Sequence, residues 1–166
     1  MTRVVGPALP PALIERLGQQ DLGRRLGIGL PFVTQDAEGR PHPMLVSYLE
    51  LRAYDSRTLG LVIQARSSSA RNLADRGVGT LSIIEPDLVM YIKIRALDGP
   101  LAVMGDPGVG LGFFLLEVEQ VLEDVAGEWE TGMRITGPIR YEPPPSLTES
   151  WAQATLAALA APRARA

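Results

Sequence analysis

The stretch LGLVIQARSSSARNLADRGVGTLSII, residues 59–84, changes character twice. Leu59 to Ala65 is an aliphatic run that reads as a buried strand, and Val78 to Glu85 is a second one. Between them the chain predicts a helix of about two turns, with Ser67 or Ser68 as N-cap and Gly77 as its C-terminal stop. Arg66, Ser67, Ser68, Ser69 and Arg71 therefore gather where the first strand hands over to the helix.

Working outward, the strands follow one another through tight turns. A strand ends near Gln35, the turn DAEGRP follows, and a second strand is predicted from Pro43 to Leu51. DSRT is the next turn before residue 59. LVMYIKIRAL, from Leu88, is another strand, set off from its predecessor by Pro86. FFLLEVEQVLED, residues 113–124, fits both periods, and its aromatic start beside other strands favours a strand. RITGPIRYEP is a final short strand. LPPALIERLGQQD is a short amphipathic helix near residues 10–20, and SLTESWAQATLAALAA a C-terminal helix near 146–161, capped by Ser146 or Thr148. The tail PRARA, 162–166, is expected to fray. Six or seven strands without βαβ alternation predict a mainly β protein: one antiparallel barrel or sandwich domain, its strands over about 27–142, with flanking helices.

Composition narrows the chemistry. The 166 residues are 46% apolar and 21% charged, which suits one globular domain. A net charge of −3 offers no basic face for nucleic acid. No run approaches a membrane span or a signal peptide, so a cytoplasmic protein is expected, without membrane partners. There is no Cys and a single His, His42, which leaves no thiolate, no zinc cluster and no metal site to expect. Lys93 stands alone against fifteen Arg, so anion contacts must come from Arg, hydroxyls or backbone amides.

The turn at 66–71 admits two readings. One is a solvated, capped helix start with surface arginines. The other is a phosphate pocket, because first-turn amides lack partners and carry partial positive charge, and Arg and Ser supply further donors. Elsewhere GDPGVGLG, 105–112, lacks the Lys and Ser or Thr of a triphosphate loop and reads as a flexible turn. Tyr91, Lys93 and Arg95 share one strand face, which suits an exposed wall, an anion contact or a polar dimer surface. Glu117 and Glu119 share another, as an acid–base pair or a charged outer wall. Trp129 reads as a packing residue, with a stacking platform as the alternative. No residue stands out as a general acid or base.

The order of these pieces resembles the FMN-binding split-barrel superfamily, the group of pyridoxamine 5′-phosphate oxidase. PFVTQDAEGRPHPMLVSYLEL is similar to its first hairpin, residues 59–84 to its strand, Ser-rich turn, Asn-Leu helix and strand, and MYIKIRALDGP and FFLLEVEQVLED…ITGPIRYEP to its later strands. The resemblance covers about residues 27–142. It implies a split barrel of Greek-key type, a homodimer, and FMN at the subunit interface with its phosphate on the Ser-rich turn. Arg66, Ser67, Ser68, Ser69, Arg71 and Asn72 then become phosphate and ribityl contacts. Gln64 and Ala65 offer backbone groups to the ring, and Ser47 a hydroxyl. The implied activity is flavin-dependent oxidoreduction of a small molecule, with an electron donor. The alternatives are a non-catalytic flavin-binding or storage protein and a flavin-free dimeric interaction domain. A deazaflavin is the lesser cofactor alternative. Vitamin B6 oxidation is not implied. MLVSYLELR lacks the Arg-x-x-Leu-Leu-Lys run, Ser69 stands at the usual basic position, Arg95 replaces a common Gly, and the C-terminal Trp and Arg have no match.

Overall fold

The computed structural model describes residues 1–86, 88–130 and 132–161. Asp87, Thr131 and the tail 162–166, for which fraying is expected, lie outside the described residues.

All strand pairings are antiparallel. The main path runs β3 (Pro41–Ser47), β2 (Ile28–Gln35), β6 (Val78–Glu85), β7 (Leu88–Ala102), β8 (Leu111–Asp124), β5 (Thr58–Gln64), β4 (Leu51–Ala53). Short β1 (Thr2–Gly6) pairs with the far end of β8, and β9 (Ile139–Arg140) with the start of β2. The result is a curled, mainly antiparallel half-barrel with flanking helices, the split-barrel class. The described strands number nine rather than six or seven. The extra ones are short: β4 is split off from the expected second strand, and β1 is exposed over its first four residues, so no alternation marks it and backbone pairing alone makes it a strand.

Alternate residues of each strand fill the barrel. Leu30, Phe32, Leu81, Ile83, Ile92, Ile94, Phe114, Leu116 and Val118 share one buried cluster, closed by Leu13 and Leu17 of α1 (Pro11–Leu17) and Leu73 of α3 (Ser68–Arg76). A second cluster lies where α4 (Ser150–Leu159) covers Val62, Phe113 and Leu115 with Ala154, Ala158 and Leu159. Residues 113–124 are indeed strand, because consecutive apolar side chains serve these two cores on opposite faces of β8.

Three boundaries differ from the sequence expectation. The strand expected over Pro43–Leu51 breaks after Ser47 into a 3₁₀ turn, Tyr48–Glu50, before β4. Ser47 and Glu50 form a capping box there, and Tyr48 and Leu49 are both buried, which one strand face cannot accomplish. The C-terminal helix starts at Ser150 with Glu149 at the N-cap, not at Ser146 or Thr148; the Ser146 hydroxyl instead accepts from the Thr148 amide. The helix foreseen over 10–20 ends at Leu17, and a separate turn, α2 (Leu22–Arg25), follows.

Candidate functional site

The corner between β5 and α3 forms as its residues demand. Ser67 adopts extended geometry at the N-cap, and its hydroxyl accepts from the Ala70 amide at 3.1 Å. Gly77 ends the helix at φ 71°, a conformation that glycine adopts at little cost. At the mouth the amides of Ser68 and Ser69 have no hydrogen-bond partner among the described residues, as expected of a first turn. Arg66, Ser68 and Arg71 are exposed around them, and the Arg71 guanidinium donates to the Ser68 hydroxyl at 3.2 Å. Neither arginine has an acidic partner among the described residues. Two positive charges without an acidic partner and the Ser68 amide thus lie at the surface of one corner, with the unpartnered Ser69 amide buried behind them.

The neighbours of this corner are fixed. The Ala65 amide donates to the Gly110 carbonyl at 2.8 Å, and the exposed Gln64 side chain to the Val109 carbonyl at 3.4 Å. The loop 105–110 that looks flexible in sequence is braced by Asp106, whose carboxylate accepts from the Val109 and Gly110 amides at 3.1 and 2.8 Å. No local signal places that loop here, because the pairing spans 45 residues. Asn72 lies one turn along α3 and donates to the Thr34 hydroxyl at 3.0 Å.

Two sequence candidates are placed differently. Ser69 is only 2% exposed, so neither its hydroxyl nor its amide is open to solvent at the mouth. Ser47 sits at the end of β3 opposite Gly29, and its amide and hydroxyl both donate to Glu50 at 2.7 Å. Its hydroxyl is therefore already committed within its own turn. Burial pushes the Glu50 carboxyl above its usual value, against the lowering effect of the two Ser47 bonds. The folded chain holds that proton more tightly than the unfolded one. Its stabilising contribution is therefore full below the ordinary carboxylate range and is lost as pH rises through the raised value. Glu50→Gln should then melt relatively higher at pH 7.5, and that advantage should shrink on acidification to pH 4.5. A melting difference independent of pH between those limits would contradict this.

Glu117 and Glu119 do share a face, but as ion-pair partners. Arg57 meets Glu117 at 3.1 Å, and Arg95 reaches both carboxylates. They are a charged outer wall rather than an acid–base pair. The exposed Trp129 does not serve as a packing residue. At the opposite end of the barrel, Tyr48 donates to buried Glu85, which Arg16 and Arg25 also approach at 3.1 and 3.7 Å. Among the described residues no three metal-ligating side chains gather, and no helix is long and apolar enough to cross a membrane.

No protein-family model matches the chain, and no curated protein matches it in sequence. Solved structures do. A Lactobacillus delbrueckii protein described as a candidate pyridoxamine 5′-phosphate oxidase aligns at 15% identity with a TM-score of 0.55, covering 73% of this chain and 98% of its own. HupZ of Group A Streptococcus aligns at 14% identity and 0.51, covering 80% and 99%. An FMN-binding protein from Syntrophomonas wolfei aligns at 10% identity and 0.50, covering 70% and 89%. These likenesses show the fold, a split barrel that the chain shares with these neighbours.

Proposed function

We propose that the chain binds FMN and acts, as a homodimer with the cofactor at the interface, in flavin-dependent oxidation or reduction of a small molecule. The observation that carries this reading is the mouth of α3, where Arg66 and Arg71, both exposed and without an acidic partner among the described residues, stand at the helix start with the unpartnered Ser68 amide. A phosphate monoester brings about two negative charges and several acceptor oxygens, and this corner supplies the matching donors. The Ser68 hydroxyl adds one more, and Asn72, tied to Thr34, orients the next turn. The split-barrel neighbours, one of them described as FMN-binding, support the same reading.

When bound, the isoalloxazine ring supplies electron or hydride transfer, and the protein's part is to hold and orient it. Arg66 and Arg71 would anchor the phosphate electrostatically. The Gln64–Ala65 segment, stiffened by its bonds to Val109 and Gly110, would present backbone beside the ring.

Purified chain mixed with FMN should retain a yellow chromophore through gel filtration, at a mass twice the 17.9 kDa of one protomer. Colourless protein after the column would remove the flavin reading and leave the dimeric interaction domain. Stopped-flow mixing with NADH and NADPH should bleach the bound flavin, and lack of bleaching by either points to a flavin carrier instead. A deazaflavin retained in preference to FMN would change the cofactor but not the site.

A further inference from the structure

Lys93, the chain's single lysine, stands on the outer face of β7, between Ile92 and Ile94 of the core. Strand register puts it in one row with Pro43, Val33, Thr80 and Gln120. Nothing else in that row is charged. A groove of about 250 Å³ opens here, lined by Val33, Thr34, Val78, Thr80, Lys93 and Glu119, among others.

The charge balance of this groove is unusual for the sheet. Arg3, Arg57 and Arg95 each meet a carboxylate. Lys93 has no partner among the described residues, and Glu119, the acid on the groove wall, is taken by Arg95. The Thr34 hydroxyl is engaged by Asn72. What remains is one ammonium group, the Thr80 hydroxyl and the Gln35 carboxamide oxygen, beside the apolar Val33, Pro41, Val78 and Ile94.

We propose that this groove binds a small organic acid, a ring carrying one carboxylate, with Lys93 as its countercharge. One ammonium group matches a monoanion; a phosphate dianion needs the larger donor set found at α3. A cavity of about 150 Å³ accommodates a benzene ring, so 250 Å³ leaves room for a carboxylate as well. Thr34 lines the groove, and its buried hydroxyl accepts from Asn72 in the middle of α3, so that helix lies behind the same strand. The acid's role as the oxidoreductase substrate rests on the flavin reading; its binding does not.

Benzoate is the probe, titrated into the isotope-labelled, flavin-free 166-residue chain and followed by amide NMR. Saturable shifts at Gly79, Thr80 and Lys93 are expected, with a midpoint of roughly 1 mM. Lys93→Met should weaken binding at least tenfold, and Lys93→Arg should retain it. Shifts that never saturate, or that survive Lys93→Met unchanged, would overturn the proposal. So would equal binding of uncharged benzyl alcohol, or a Lys93 already paired with a carboxylate of a second copy. If benzoate saturates while FMN fails to bind, the groove stands and the flavin reading fails; the reverse result removes the groove alone.

Discussion

Replacing Arg66 and Arg71 together by alanine should weaken FMN binding by about 100-fold or more. Each guanidinium–phosphate bond contributes about 1.5–3 kcal/mol, and exposure to solvent puts both at the low end of that range. Two such losses sum to about 3 kcal/mol, and each 1.4 kcal/mol is a factor of ten in affinity. Both side chains are exposed, so the fold should be unaffected. Fluorescence titration of FMN gives the affinity. Wild-type binding should fall as salt rises, and the double variant's should fall less steeply, because two of the screened charges are gone. Arg76→Ala is the control: it lies at the far end of α3, bonds the Ala37 carbonyl at 2.9 Å, and should leave affinity alone. Equal affinities in the double variant and the wild type would move the phosphate elsewhere.

The largest effect on stability is expected from Glu85→Ala. Glu85 is 7% exposed, accepts from the Tyr48 hydroxyl, and faces two arginines. Arg25 also lies 5.3 Å from the Tyr48 ring. Removing the carboxylate strands part-buried positive charge, which typically costs about 3–5 kcal/mol. For a chain of this size that is a fall in melting temperature of roughly 10 °C. Tyr48→Phe should cost less, about 1.5–3 kcal/mol, since it removes one bond to a charged group and leaves the ion pairs. The Tyr48 phenol, held above its usual range first by burial and then by Glu85, stays neutral, so its bond should persist across the neutral range. Chemical denaturation that shows Glu85→Ala within 1 kcal/mol of wild type would mean the cluster is a solvated ornament of the surface.

The corner at α3 was legible in the chain because every part of it is local. The cap, the arginines, the helix stop and the strand before it lie within residues 59–77, and their chemistry depends on neighbours a few positions away. Alternation along Tyr91–Arg95 was legible for the same reason: one face of β7 is buried and the other is not. Ser47 shows the limit. Its resemblance-based role as a flavin contact ignored Glu50, three residues on, whose carboxylate holds the Ser47 hydroxyl in its own turn. The S-x-x-E spacing was there to be read as a capping box, but the surrounding strand pattern masked it.

Local sequence by itself settled the main strands and helices and which residues start α3, though not β1 or the break at Tyr48–Glu50, since period, caps and turn residues act over a few positions. Tertiary structure alone decided that Ser69 turns inward, that the loop around Asp106 braces Gln64 and Ala65, that Glu85 lies under two arginines, and that Lys93 is left unmatched. Each of those outcomes depends on which strands become neighbours. Pairing register is a property of the whole sheet, and it brings together charges tens of residues apart that no short window contains.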